Sequence, residues 1–207
     1  MSIWTFRHRV LSACFGVALV SALSGCLAAD TGSERGLAKP KVALASATIV
    51  PDKLVVKGPK GFCIDRRSLK SGRSGGFALL VSCAALDEEA RGIGLETAIL
   101  TLQAQPQSKE AARAEAGSLA RAFAGIQPIY QENGDGMSLV HLAQGGDVII
   151  PNGEPKHWRA ALTFNGYLVG LALYSEKGGV ASGGTGKALL IEFAEAVLAA
   201  NLRADVE

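Results

Sequence analysis

WRAALTFNGYLVGLALY, residues 158–174, is the clearest β-hairpin signal in the sequence. Asn165 and Gly166 both tolerate the left-handed backbone conformation that a two-residue type I′ turn requires. Such a turn pairs Phe164 with Tyr167 and places eight apolar or aromatic side chains on one face of the hairpin. These residues are Trp158, Ala160, Leu162, Phe164, Tyr167, Val169, Leu171 and Leu173. We therefore predict that this face forms part of the core.

The opposite face of the hairpin has a different composition. It carries Arg159 and otherwise small side chains, namely Ala161, Thr163, Gly170 and Ala172. Small side chains leave room for another element to approach the sheet. We therefore predict that a helix can lie across this face.

Further strands and helices are predicted around the hairpin from apolar runs and their periodicity. The strands cover residues 53–56, 62–65, 77–83, 97–103, 126–131 and 137–143, with a short edge strand at 148–151. Apolar residues three and four positions apart predict helices at 108–124 and 187–201. The fold class is therefore α+β, a single domain in which an antiparallel β-sheet packs against two helices. This order of elements resembles the Mog1/PsbP-like sandwich fold.

The first 26 residues have the form of a bacterial export signal. Arg7 and Arg9 precede an uncharged apolar run at residues 10–23, shorter than the ~20 residues that span a bilayer. The run ends in Leu23-Ser24-Gly25-Cys26, which resembles the lipobox of bacterial lipoproteins. The resemblance implies cleavage before Cys26, a diacylglyceryl group on its thiol and a further acyl chain such as palmitate on its amino group. An ordinary signal peptide and a retained membrane anchor are the alternatives.

The lipobox divides the chain into three parts. Residues 1–25 are the predicted signal peptide, 26–47 the lipidated cysteine and a flexible tether, and 48–207 the folded periplasmic domain. Leu27 replaces the aspartate that retains enteric lipoproteins on the inner membrane. The resemblance therefore implies a protein of the bacterial envelope, anchored in the outer membrane and facing the periplasm.

Two cysteines are expected to remain free of lipid after export. Cys14 leaves with the signal and Cys26 is lipidated, so Cys63 and Cys83 form an even pair in an oxidising compartment. We predict that they form a disulfide bond. The alternative is a pair of free, buried thiols.

The charge of the mature chain is close to zero. Removal of Arg7 and Arg9 with the signal leaves 19 basic residues against 19 acidic ones. A balance of this kind argues against general nucleic-acid binding. The stretch ASGGTGKA at 181–188 looks like a phosphate-binding loop, but Ala188 occupies the position of the magnesium-binding hydroxyl. We therefore predict a glycine-rich start of a helix and no nucleotide.

The densest basic stretch lies largely between the two paired cysteines. With Lys53 and Lys57 it contains five candidate residues for binding an anionic surface: Lys60, Arg66, Arg67, Lys70 and Arg73. Clustered positive charge attracts an anionic envelope polymer or an acidic envelope protein. A solvated loop that keeps the domain soluble is the alternative interpretation.

No catalytic constellation is recognised in the mature chain. His141 is predicted to be half-buried with its hydrogen bonds satisfied, His157 is predicted to lie on the surface, and Ser138 near His141 does not by itself make a triad. We predict no cofactor and no metal site.

The favoured function is a non-enzymatic binding or assembly accessory tethered to the membrane. An envelope hydrolase, which needs a deep pocket with convergent polar groups, and a small-ligand carrier are the alternatives.

Overall fold

The computed structural model describes residues 42–86, 98–107, 115–123, 125–134 and 136–202, which all lie in one compact unit spanning Lys39–Glu207. The predicted signal peptide, Cys26 and most of the predicted tether lie outside the described residues. Within the described residues, none of the helices has the length and apolar character needed to cross a membrane.

Ten strands are described, and eight of them form one antiparallel sheet. Their bounds are β1 Ala43–Leu44, β2 Ser46–Val50, β3 Leu54–Lys57, β4 Phe62–Asp65, β5 Gly76–Ser82, β6 Ala98–Pro106, β7 Pro128–Gly134, β8 Met137–Leu142, β9 His157–Phe164 and β10 Tyr167–Ser175. The strand order in the large sheet is β1-β4-β5-β6-β10-β9-β8-β7, and β2 pairs with β3 in a separate hairpin. The α+β class and the antiparallel sheet are therefore confirmed.

Four helices are described, two more than predicted. Their bounds are α1 Cys83–Leu86, α2 Ala116–Arg121, α3 Gly146–Ile149 and α4 Gly184–Leu202. The additional helices, α1 and α3, are single turns that periodicity over a long window does not reveal. The start of the predicted helix at 108–124 lies outside the described residues. The helix ends at Arg121, three residues before the predicted end, and Gly125, the predicted stop, has a φ of 88°.

The hairpin at residues 158–174 forms with the predicted register. Phe164 pairs with Tyr167 and Trp158 pairs with Leu173 across β9 and β10. Asn165 and Gly166 have φ values of 47° and 80°, as a type I′ turn requires. The local sequence thus determines both the turn and the face that each side chain occupies.

One face of the sheet, called here the closed face, is covered by α4 and by the β2–β3 hairpin. The closed-face residues of the β9–β10 hairpin belong to a single hydrophobic core, together with Leu190, Phe193 and Val197 of α4. Asn201 fixes the end of α4, because its Oδ1 accepts a 2.8 Å hydrogen bond from the Val55 backbone N–H. Its Nδ2 donates to the Val55 carbonyl oxygen at the same distance. The predicted apolar side of this helix is confirmed.

Two predicted boundaries require correction. The folded part begins before Thr48, because Ala43 pairs with Asp65 and Leu44 pairs with Ile64. The C-terminal end of the predicted tether therefore belongs to the sheet through backbone hydrogen bonds that its composition does not indicate. The predicted edge strand at 148–151 is wrong, since residues 146–149 form α3.

A disulfide bond joins Cys63 of β4 to Cys83, the first residue of α1. The pairing agrees with the prediction from the cysteine count. The bond closes a 20-residue separation that contains the whole of β5. It therefore links the end of one sheet strand to its neighbour, where the Cys83 backbone N–H also donates to the Gly61 carbonyl oxygen at 2.9 Å.

Candidate functional site

The second face of the sheet, called here the open face, is apolar, and the part of the chain that the structure describes covers it incompletely. In β5 the closed-face residues Ala78 and Leu80 are fully buried, whereas the open-face residues Phe77 and Leu79 are only partly buried. Ile99 of β6 and Leu168 of β10 are partly buried in the same way. Large apolar side chains that line a concave surface without being buried are typical of ligand sites.

These residues form the floor of a groove with a volume of about 590 Å³. One wall is made by α2 and the residues after it, and another by α3 and the residue after it. The wall residues are Leu119, Ala122, Phe123, Ile149 and Ile150. The predicted helix, α2, thus lies beside the open face of the β9–β10 hairpin. Together with α3 it forms the walls that turn this face into a groove.

A glycine gives the groove its depth at the centre of the sheet. A Cβ atom added to Gly170 would meet only the Gln103 carbonyl oxygen, at 3.9 Å. The space above Gly170 is therefore open, and it lies beside Ala161 on β9 and Gln103 on β6. Gly170, one of the small residues that were predicted to leave room for a helix, thus forms part of the groove floor.

Arg159 is the charged side chain among the described residues that line the groove. Its guanidinium carbon lies 4.9 Å from the centroid of the Phe123 ring and 5.2 Å from that of Tyr174. Such cation–π contacts stabilise a cation that has lost part of its water. The side chain is partly buried, and burial lowers its pKa from the usual value.

The ring contacts of Arg159 do not neutralise its charge. Its Nε is enclosed and has no hydrogen-bond partner, and no ion pair among the described residues includes Arg159. Leaving a charged donor desolvated and unpaired is costly. The groove therefore presents a largely desolvated positive charge to whatever occupies it.

His157 lies next to this charge and is buried, so the prediction of a surface histidine is wrong. Its side chain is 2% exposed and stacks on the Tyr174 ring, with 5.4 Å between ring centroids. The loop before β9 covers it, since a Cβ on Gly146 would lie 3.3 Å from the His157 Cβ. Burial, together with the nearby charge of Arg159, lowers the pKa of His157 to about 4. The ring is neutral at pH 7, so Arg159 provides the positive charge there.

His141 lies on the closed face. It stacks on Trp158 with 4.1 Å between ring centroids and is 8% exposed. The ring is hydrogen-bonded to the Ser182 backbone but its Nε2 has no partner, so the side chain is only partly satisfied and is more buried than the predicted half-buried histidine. Burial lowers its pKa. Ser138 projects from the opposite face of β8, since residues three apart in a strand alternate, so the two do not form a catalytic pair.

The predicted basic cluster is divided by the fold. Lys60 precedes β4, while Arg66, Arg67, Lys70 and Arg73 follow it, so Lys60 lies at the opposite end of that strand. Arg67 is held by Asp65 in a two-point ion pair, with its Nη2 2.9 Å from the Asp65 Oδ2. The side-chain hydrogen bond from Arg67 lowers the pKa of Asp65. Binding of an anionic surface by these five residues stays a prediction.

The glycine-rich stretch before α4 is packed as a helix start, as predicted. A Cβ on Gly186 would clash with the Ala181 carbonyl oxygen, so only glycine fits there. The Trp158 indole N–H donates to the Gly183 carbonyl oxygen at 2.9 Å. Lys187 forms an ion pair with Glu132 and lies over the Tyr130 ring. The lysine that would contact a phosphate is therefore already engaged with β7.

Sequence reasoning missed the groove, although two signals for it are present. Both faces of β5 are apolar, and Arg159 interrupts a hydrophobic strand. The chain matches no protein-family model, no curated protein and no solved structure. The chemistry of the groove is therefore the basis for assigning a function to this molecule.

Proposed function

We propose that this protein is an envelope lipoprotein, tethered through Cys26 to the outer membrane, whose domain is a non-enzymatic binding accessory at the periplasmic face. The lipobox-like motif at residues 23–26 and the preceding apolar run support the anchor. The Cys63–Cys83 disulfide fits an oxidising compartment. Its partner is an envelope component, either a protein or an anionic polymer.

The groove on the open face is the observation that carries the binding role. A domain with two fully covered sheet faces would have no concave apolar surface left for a partner. Here α4 covers most of the closed face and leaves a smaller pocket of about 180 Å³ beside Met137 and Leu139. The open face keeps a groove of about 590 Å³ with partly buried apolar walls. This volume lies in the range of roughly 300–1,000 Å³ that is usual for small-molecule sites.

The groove also favours small-ligand carriage as a second candidate function. It has a floor of aliphatic and aromatic side chains and one desolvated cation at one end. A site that orients an apolar ligand by one charged group has this composition. The predicted envelope hydrolase has no comparable observation in its favour.

Site-specific photo-crosslinking in living bacteria tests the proposed binding surface. Benzoylphenylalanine is introduced into the full chain at Leu168, on the groove floor, and in a matched variant at Leu202, which is 63% exposed at the end of α4. We expect a discrete adduct from position 168 and none from position 202. Equal adducts from both positions, or none from position 168, would contradict a binding role for the groove.

A further inference from the structure

We infer that the groove binds a single-chain amphiphile, with its anionic headgroup on Arg159 and its alkyl chain along the floor toward Leu168. This inference rests on the proposed binding role of the groove and specifies its ligand class. The headgroup is a carboxylate or a phosphate monoester, since a guanidinium pairs with both through two parallel hydrogen bonds.

The need for an anion follows from the environment of Arg159. Its Nε is enclosed without a hydrogen-bond partner, and Phe123 and Tyr174 cover the guanidinium with their rings. Asp147, the carboxylate that acts on the neighbouring His157, forms no ion pair with Arg159. His157, which faces the same space, is buried and carries no compensating negative charge. Among the guanidinium nitrogens only Nε is enclosed, so an anionic ligand can approach the Nη atoms and balance the charge in a site that has already excluded much of the water.

The shape of the groove sets the form of the rest of the ligand. Along β10 the floor runs from Tyr174 to Leu168, and the six steps between these residues correspond to about 20 Å of extended strand. The side chains along it are Phe77, Leu79, Ile99 and Leu168, with Gly170 leaving open space between them. The exposed Gln103 and Gln105 lie on β6 opposite Gly170 and Leu168. An extended alkyl chain fits this apolar strip.

A peptide fits the same floor less well. The strands β5, β6, β10 and β9 each pair with neighbours on both sides, so their backbone groups are engaged within the sheet. A peptide lying on them would leave many of its own N–H and C=O groups without partners over an apolar surface, which is costly. An alkyl chain carries no such groups. The paired floor therefore favours an amphiphile over a peptide.

Photolabelling of the full chain in nanodiscs of zwitterionic lipid tests this inference. The probes carry a diazirine on a dodecyl chain and differ in their headgroup: carboxylate, phosphate monoester, alcohol or trimethylammonium. Empty nanodiscs report partition into the bilayer, and peptide mass spectrometry locates the label. We expect saturable labelling of groove residues by the carboxylate or the phosphate, with apparent affinity about tenfold to a hundredfold above that of the alcohol. The two anionic arms distinguish a fatty-acid-like from a phospholipid-like headgroup.

Three variants make the test specific. Arg159→Gln should remove the preference of the anionic probe over the alcohol, whereas Lys177→Gln, which removes an exposed cation outside the groove, should leave it unchanged. Gly170→Leu should block all probes, because its side chain would fill the floor without meeting a close neighbour. Circular dichroism establishes that each variant is folded.

The outcomes separate this inference from the proposed function. Equal labelling by the anionic probe and the alcohol, or an unchanged preference in Arg159→Gln, would overturn the assignment of an anionic amphiphile. Absence of any groove label would also overturn it. If position 168 still crosslinks specifically in cells, the groove remains a binding surface and only its ligand class is wrong.

Discussion

The guanidinium carbon of Arg159 lies 4.9 Å from the centre of the Phe123 ring, which joins strand β9 to the wall that follows α2. This contact holds a charged side chain over an apolar floor. The arrangement gives the open face one cation in an otherwise apolar groove. The predictions below concern the buried groups around the groove, the supports of the closed face and the anchor.

The stability of the domain should depend on pH through His157. Its pKa is about 4 in the folded state and near 6.5 in an unfolded chain, so the unfolded state binds more protons between these values. The free energy of unfolding should therefore fall by about 3 kcal/mol as the pH is lowered from 6.5 to 4. His157→Phe, which keeps an aromatic ring, should show a flatter dependence in urea titrations. Parallel pH profiles of the two proteins would contradict this prediction.

Loss of the disulfide should destabilise the domain. The double variant Cys63→Ala and Cys83→Ala should lose about 3 kcal/mol, because the bond restricts the unfolded chain across a 20-residue separation. Urea unfolding measures the change. Reduction of the wild-type protein serves as a control and should give a similar loss. Unfolding midpoints that do not differ would show that the bond has no stabilising role.

Asn201 should be important for docking of α4. Asn201→Ala leaves the Val55 backbone N–H and C=O without their side-chain partners, which should cost about 1–3 kcal/mol in thermal or urea unfolding. Leu202→Ala is a matched control at the next, exposed position and should change stability by less than about 0.5 kcal/mol. A similar effect of both substitutions would contradict the assigned role of Asn201.

Lipidation should depend on Cys26. In cells that express the full chain, Cys26→Ser should accumulate as an uncleaved precursor without a lipid label, because the serine hydroxyl cannot take the place of the thiol. Gel mobility and metabolic labelling with a fatty acid measure the two properties. A Cys14→Ser variant is the control and should be processed normally. Normal cleavage and labelling of Cys26→Ser would contradict the anchor.

Local sequence was sufficient to predict some elements of the fold. The turn at Asn165-Gly166 fixes the register of β9 and β10, and the alternation along both strands then fixes the closed face. The apolar positions of α4 and the Cys63–Cys83 pair were also correctly predicted. In each case the signal lies within the residues concerned.

The groove and the burial of His157 depend on contacts between distant segments. His157 is covered by the loop at Gly145-Gly146 and by Phe123, and nothing in its own neighbourhood indicates this. The alternation in β5 identifies two apolar faces but does not show that helices cover only part of one of them. Such features follow from where helices dock, which a single sequence does not specify.

The most direct test of the account compares the unfolding of wild-type protein and Arg159→Met, each with and without dodecanoate. If Arg159 serves ligand binding, Arg159→Met should be more stable than the wild type by about 1 kcal/mol without ligand, since it removes an unpaired, desolvated charge. Dodecanoate should then stabilise only the wild type. A variant that is less stable without ligand, or that dodecanoate stabilises as strongly as it does the wild type, would contradict the central role of Arg159.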